Sequence, residues 1–360
     1  MKRKLAMLGM ISAASLCADQ PGNEKTNQQA VDHSPQSVFL SHPPYRFLTY
    51  FDALFMQPSG SNLHYAAQAN SLPVISPNWR IHEVHPDYHF GFIVGVEGYF
   101  HSANSKMMLD WEHFHSLDSN KKHVPTEDML GPFFEIGPDA SAYKRAKGHG
   151  FFRFDEVNLD YGLAVNFGNR LKTDFFVGVS YAQIRQIIHA HFTSLDETTI
   201  KSIHTPSRFY GVGPQFGLDF SYRIVEGFQL VGEGIASLYV GRMKNHTTYK
   251  SASPSLIALG IAPPNKQRTD VSTRTQMVPG FESKLGVAYA YSFGQRFMIK
   301  AEIGYKTQIY LNAIQSTDIG SEVVTPPVTP DVTGVYARTF QRTLSNFALA
   351  GPYAAIDFAF

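Results

Sequence analysis

The sequence predicts an all-β fold: a transmembrane antiparallel meander β-barrel of about ten strands, with twelve as the alternative. Three observations predict it. Apolar side chains recur with period two along most of the chain. The segments so marked are joined by connections that alternate short and long. The composition also fits neither common alternative. Of 360 residues, 17% are charged and 13% aromatic, yet the mean hydropathy is −0.18. An average soluble domain carries about 25% charged residues. A helical membrane protein shows runs of about 20 apolar residues, and no window here approaches that. A strand wall with one oily and one polar face averages to a middling hydropathy. Lys+Arg is 31 against 30 Asp+Glu, a balance that carries no electrostatic footprint for nucleic acid. The single cysteine, Cys17, excludes an intramolecular disulfide framework and a cysteine zinc cluster.

The N-terminus reads as an address. Lys2, Arg3 and Lys4 precede the apolar and small run Leu5 to Leu16, and Asp19 begins a polar stretch. A basic start, a short apolar run and small residues before a polar segment make a secretory signal peptide. It is assigned to residues 1–18, with cleavage after Ser15, Cys17 or Ala18. Leu16 stands where a lipoprotein signal needs a small residue, which disfavours lipidation of Cys17. Residues 19–45 read as a polar, proline-containing periplasmic tail, and residues 46–360 as the barrel.

The strands follow in order. Alternation places them near Arg46–Gln57, Tyr88–Phe100, Ser105–His115, Phe151–Phe167, Leu171–Ile188, Arg208–Arg223, Phe228–Arg242, Thr275–Tyr291, Arg296–Leu311 and Arg342–Phe360. The fourth is the clearest. Val157, Leu159, Tyr161, Leu163, Val165 and Phe167 share one face, opposite Glu156, Asn158, Asp160, Gly162, Ala164 and Asn166. Glycine recurs inside these segments, which would be costly in helices.

The connections His101–Asn104, Gly168–Arg170, Ile224–Gly227 and Ser292–Gln295 are short. Pro58–Asp87, Ser116–Gly150, His189–Ser207, Met243–Arg274 and Asn312–Gln341 are long. Short periplasmic turns alternating with long extracellular loops are the pattern of outer-membrane barrels. A secreted sandwich also alternates, but its strands average about 5–6 residues. These run to about 12–18, against about 9–11 needed to cross a membrane. A hairpin hidden around Leu63–Ile81 would raise the count to twelve. Tyr88, Phe100, Tyr210, Tyr222, Tyr289, Tyr291, Tyr305, Tyr310, Phe358 and Phe360 are candidates for interfacial aromatic girdles. Tyr353, Phe358 and Phe360 on the terminal strand form a candidate C-terminal assembly signal.

Several blocks resemble a known family: Phe175–Ile184 (FFVGVSYAQI), Tyr210–Tyr222 (YGVGPQFGLDFSY), Val231–Val240 (VGEGIASLYV), Glu302–Ile314 (EIGYKTQIYLNAI) and Ile356–Phe360 (IDFAF). Asp52-Ala53-Leu54 and Leu63-His64-Tyr65-Ala66 add to them, and Gly211-Val212-Gly213-Pro214 with Gly217-Leu218-Asp219 is the most specific. Together they resemble the Legionella-type major outer membrane protein family, related sequences of which occur in chlamydia-like bacteria. The resemblance runs in scattered blocks over most of the mature chain. It implies a surface-exposed, porin-like barrel. The better-known members are associated with cysteines that cross-link the envelope; here Cys17 is the only cysteine and falls in the leader.

Parity alone assigns the lumen. Inward acids are Asp52, Glu97, Asp110, Glu112, Glu156, Asp160, Asp174, Asp219, Glu233, Glu282, Glu302 and Asp357. Inward bases are Arg46, Lys106, Lys172, Arg223, Lys284, Arg296, Lys300 and Lys306. The acidic excess would mildly favour cations, because rings of charge select by sign. Ten strands also make a narrow barrel; eight are filled by side chains, and open channels are typical at about 16–18. Two functions therefore stay open. One is a major structural barrel with porin-like passage of ions or small solutes. The other is a surface adhesin or scaffold with a closed lumen whose long loops bind partners.

No enzyme is expected. Asp110, Glu112, His113 and His115 could be imagined as a rim site, and His113/His115 or His189/His191 as a metal site, but exposed edge histidines explain the pairs as well. Gly211-x-Gly213 and Gly232-x-Gly234 open no helix and are not nucleotide loops. No cofactor and no metal are expected. The expected partners are outer-membrane lipid and lipopolysaccharide, the barrel assembly machinery, small solutes or ions, and host or phage ligands at the loops. Thr325–Pro330 should be an extended segment of one such loop.

Overall fold

The computed structural model describes residues 47–60, 62–69, 79–100, 105–125, 129–131, 143–168, 170–194, 200–225, 227–252, 265–293, 297–324 and 334–360. The segments expected to be a signal peptide and a polar tail (residues 1–45), Arg46, Arg296 and Thr325–Pro330 lie outside the described residues. Thirteen strands form one sheet: β1 (Phe47–Gly60), β2 (His64–Ala69), β3 (Trp79–Glu83), β4 (His89–Phe100), β5 (Ser105–His123), β6 (Met129–Gly131), β7 (Tyr143–Phe167), β8 (Leu171–Ser194), β9 (Ile200–Arg223), β10 (Phe228–Ala252), β11 (Asn265–Phe293), β12 (Phe297–Val324) and β13 (Gly334–Ala359).

Ten of them close a ring in chain order: β1, β4, β5 and β7 through β13. Each is antiparallel to the next, and β1 pairs with β13 from Leu48↔Ala359 to Gly60↔Phe347. The seam is sealed by Phe47 N–H to the Phe360 carbonyl at 3.1 Å and Phe360 N–H to the Phe47 carbonyl at 2.9 Å. Closure removes the sheet edges that lipid could not hydrogen-bond. The hairpin around Leu63–Ile81 exists as β2 and β3, but it does not widen the ring. It pairs with β6, which pairs with the start of β7 at Leu130↔Tyr143, while β1 pairs directly with β4. The twelve-strand alternative is corrected to ten.

Two positions, one in the wall and one in a turn, show why glycine is needed. A Cβ on Gly213 would lie 1.9 Å from the Leu238 carbonyl oxygen of the neighbouring strand. Gly227 has a φ of +81° in the turn after β9, a conformation that side chains resist.

The largest departure from the sequence reading is in the long connections. His189–Ser207 and Met243–Arg274 are mostly strand: β8 runs to Ser194, β9 begins at Ile200, β10 runs to Ala252 and β11 begins at Asn265. The hairpins continue well beyond the apolar belt. That belt is the exposed stretch Val157–Phe167 on β7, with Phe175, Val177, Val179 and Tyr181 opposite on β8, matching the length of a membrane crossing. Above it the outward face turns mostly polar, with Leu117, Phe151, Ile187 and Pro206 as one apolar row among charged and histidine rows, so the apolar alternation fades although the strands do not. The girdle candidates also divide. Tyr88, Phe100, Tyr222, Tyr289, Tyr291, Tyr305, Phe358 and Phe360 are exposed and outward, whereas Tyr310 is fully buried in the interior. At position 310 the polar run set by Lys306 and Gln308 points inward, and the tyrosine follows it.

Two apolar clusters fill the inside. One crosses the middle of the ring, with Leu54, Met56, Phe114, Phe152, Phe154, Phe209 and Phe347 at its centre. The other lies in the extension. There Tyr143, Phe192, Ile203 and Tyr249 from the tall strands meet Tyr65, Ala66, Val84 and Leu130 from the small β2–β3–β6 flap. Tyr65 seats its ring where a Cβ on Gly148 would otherwise stand, 2.4 Å away.

Candidate functional site

The interior is layered along the barrel axis. Nearest the short turns is a cavity of about 320 Å³, lined by charged side chains from every part of the ring. It holds Asp52, Glu97, Lys106, Asp110, Glu112, Asp160, Lys172, Asp174, Asp219, Glu233, Glu282, Lys284, Lys300, Glu302, Lys306 and Asp357. Glu156 is fully buried beside them. Arg223 lies at the mouth: it pairs in register with the cavity-lining Gln229, is exposed at the end of β9, and its N–H bonds the Arg170 carbonyl at 2.8 Å across the turn.

Most of these charges face a partner. Lys106 lies 3.0 Å from Asp174, 3.5 Å from Asp219 and 3.6 Å from Glu97. Lys172 is 3.5 Å from Asp174. Lys284 reaches across the lumen to Asp52 at 2.7 Å and stands 3.6 Å from Glu302. Lys300 bridges Glu302 at 2.8 Å and Asp357 at 3.1 Å. Deeper in, Lys306 ties Glu112 at 2.6 Å to Glu282 at 3.2 Å. Asp110 accepts from Asn158 at 3.0 Å and Tyr50 at 3.3 Å, and Asp160 accepts from Gln215 at 2.8 Å. A low-dielectric interior tolerates such charges only when they are paired and bonded.

The deepest polar layer gathers Glu112, Glu156 and Glu282, each with an oxygen within 4.8 Å of the others. That spacing suits a hard cation, but the chain supplies its own donors. The Lys306 ammonium touches two of the three. The Tyr310 hydroxyl contacts Glu156 at 3.0 Å and Glu282 at 2.9 Å, Ser180 donates to Glu156 at 3.0 Å, Tyr239 also donates to Glu156, and Gln308 donates to Glu112. Directly above, aromatic rings reach across the bore. Phe154 of β7 packs on Tyr310 of β12 at 5.2 Å and on Phe347 of β13 at 5.9 Å, and Phe152 packs on Phe347 at 6.3 Å.

Of the neutral groups that bond the luminal charges, Tyr239, Gln215, Gln308 and Ser180 were not among the sequence candidates, Asn158 was read only as polar-face, and Tyr310 was read as a girdle residue. A signal was present: Gln308 and Tyr310 lie two and four residues past Lys306, on the same face. Tyr353 also separates from the terminal aromatics. It is buried inward, donates to Glu302 and stacks under the Lys284 ammonium at 4.4 Å, while Phe358 and Phe360 face lipid.

The rim candidates do not assemble. Asp110 and Glu112 face the interior, whereas His113 and His115 face out from the same strand, and His113 Nδ1 lies 2.7 Å from Asp155. No side chain can join groups on opposite faces of a sheet into one site. His189 and His191 also face outward, with ring centroids 4.1 Å apart.

A closed antiparallel ring with an apolar outer belt and an ion-paired interior defines a transmembrane β-barrel. The sequence narrows this further. It matches the family described as Legionella pneumophila major outer membrane protein precursor over residues 45–360, and the chain belongs to that family and to the outer membrane. Among curated proteins none matches. Solved barrels are similar at a distance. The outer membrane protease OmpT of Escherichia coli is 11% identical with a TM-score of 0.41, covering 89% of this chain and 99% of that one. The Pseudomonas putida toluene transporter TodX is 9% identical with a TM-score of 0.31, covering 87% and 88%. A Pseudomonas aeruginosa FadL homologue is 6% identical with a TM-score of 0.24, covering 86% and 90%.

Proposed function

We propose that this protein is a structural, surface-exposed barrel of the outer membrane whose lumen is closed at rest, with no chemical step. The observation that carries this reading is the aromatic layer of Phe152, Phe154, Tyr310 and Phe347 meeting across the bore above the Glu112–Glu156–Glu282 network. Water and ions passing the barrel would have to displace both. Planar-bilayer recording of the pure folded protein tests it. The wild type is expected to show no steady unitary conductance, and Phe154→Ala with Phe347→Ala to produce channel events. Steady wild-type channels would overturn the closed reading.

One observation favours a second reading, porin-like passage of small ions: the charge-lined cavity of about 320 Å³ at the short-turn end. On that reading Glu233→Gln or Asp219→Asn lowers cation preference, since both carboxylates line the cavity. Unchanged selectivity in conducting protein would remove them from the path.

A further inference from the structure

The outer wall of the tall strands carries a feature that neither the lumen nor the family resemblance uses. The ladder registers place Val157, Tyr181, Val212 and Val240 side by side as the last apolar row of the lipid-facing belt. Two rows higher on the same face, Arg153, Arg185, Arg208 and Lys244 stand side by side across β7, β8, β9 and β10. Arg153, Arg208 and Lys244 are exposed and Arg185 is half-buried. Like charges directly opposite one another on a sheet destabilise it, and four in a row is a standing cost. Little on this wall relieves it. Of its described outward carboxylates there, Asp155 offsets only Arg153 of the row at 2.7 Å and Asp270 is held by Arg268 at 2.7 Å, which leaves Arg185, Arg208 and Lys244 without a carboxylate among the described residues. The Arg185 Nε is buried and finds no acceptor among the described residues. Desolvation, then Arg208 and Arg153, push the Arg185 guanidinium below its usual range.

A second cationic tier stands above. Lys121, Lys147, His191, Ser202, Lys250 and Lys266 form one row from β5 to β11. The arginine row lies four residues past the last apolar row, about 13 Å along a strand, and the lysine tier about 20 Å further. We propose that this wall binds the phosphorylated headgroup of the outer-leaflet glycolipid, with Arg153, Arg185, Arg208 and Lys244 holding its phosphates. The occupant follows from continuity and charge. The row continues the lipid-facing belt upward without a break, so the molecule beside it is the one whose acyl chains cover Val157 to Val240. Planar guanidinium forks suit phosphate oxygens bidentately. A headgroup with anionic groups at more than one depth would reach both tiers. The proposal is independent of whether the lumen conducts.

The test uses the full folded barrel in phosphatidylcholine vesicles with and without bis-phosphorylated lipid A. Dephosphorylated lipid A and inorganic phosphate serve as the other arms. Bis-phosphorylated lipid A is expected to bind the wild type at least about ten-fold more tightly than the dephosphorylated form, and R185Q/R208Q to lose about that factor, the scale of one or two charge-assisted hydrogen bonds. Inorganic phosphate should compete only weakly. Thermal unfolding adds a readout that a merely structural role would not give. In neutral detergent R185Q/R208Q should be as stable as the wild type or more so, because repulsion is relieved. In lipid A vesicles it should be less stable. Should R185Q/R208Q fail to fold, R208Q alone carries the same two expectations. Equal lipid A affinity of the variant, competition by inorganic phosphate as strong as by lipid A, or the same stability difference from wild type in both media would each overturn the proposal.

Discussion

The lower and upper halves of β7 to β10 use one alternation with opposite polarity. In the lower half Val157, Leu159, Val177 and Val179 face out, while Glu156, Asp160 and Asp174 face in. In the upper half Arg153, Arg208, Lys244 and Lys250 face out, while Tyr143, Phe192, Ile203 and Tyr249 face in. The backbone is continuous through the change, and only the surrounding medium differs. Lipid demands an apolar exterior and pushes charge into the bore. Water allows charge outside and makes the interior an ordinary core. The direction of a strand's polarity therefore reports which solvent it stands in.

The comparison is breakable at matched positions. The largest effect is expected from the interior of the lower half. Lys306→Met leaves Glu112 and Glu282 facing each other without their shared ammonium, and should cost about 3–5 kcal/mol. Its upper counterpart Lys250→Met, exposed on the outer wall, should change stability by no more than about 0.5 kcal/mol. Denaturant titration of folding into vesicles checks both. The outer faces give the next contrast. Val177→Arg in the middle of the belt should cost about 2–4 kcal/mol. Thr248→Arg on the upper wall, even opposite Arg268, should cost no more than about 1 kcal/mol. If the two arginines cost the same, the boundary between the halves has been drawn at the wrong row.

The smallest effect is a pH dependence confined to the upper half. His149, His189 and His204 stand side by side on neighbouring strands. Burial first, then His191, His204, His149 and Lys250, hold His189 down to about 4. The folded state thus disfavours the proton that the unfolded chain takes up near 6.5. Stability from this group is present above about pH 6.5 and is lost as the pH falls toward about 4. Hydrogen exchange at residues 187–206, in lipid-free detergent, should quicken across that window while the belt stays protected. His189→Asn should shrink the change, and an unchanged profile would remove His189 as its source.

The ring was legible because its evidence is periodic and repeated. Ten alternating segments and the short turns between them are visible to anyone counting Val157, Leu159 and Tyr161 against Glu156, Asn158 and Asp160. The inward charges followed from the same parity. The extensions were harder to read. Around His189 and Lys244 the outer face is cationic, and an expectation of oily exteriors reads such a stretch as loop. The aromatic layer was hidden for the converse reason. Phe152 and Phe154 share the parity of Glu156, and Phe347 that of Asp357, so alternation puts them inside; the expectation that apolar side chains face lipid is what hid them. The β2–β3 hairpin was suspected near Leu63–Ile81, but short strands do not announce their partners, and only pairing with β6 decides its place.

The seam between β1 and β13 has a consequence in time. The ring's first strand finds its second neighbour only in its last, from Leu48↔Ala359 upward. Every intermediate with fewer than all ten strands therefore presents two raw edges, each a row of unpaired N–H and C=O groups ready to pair with any other chain. Nine finished strands are no safer than two. Completion is all-or-none, and the chain needs its exposed borders kept from one another's company until the final hairpin arrives.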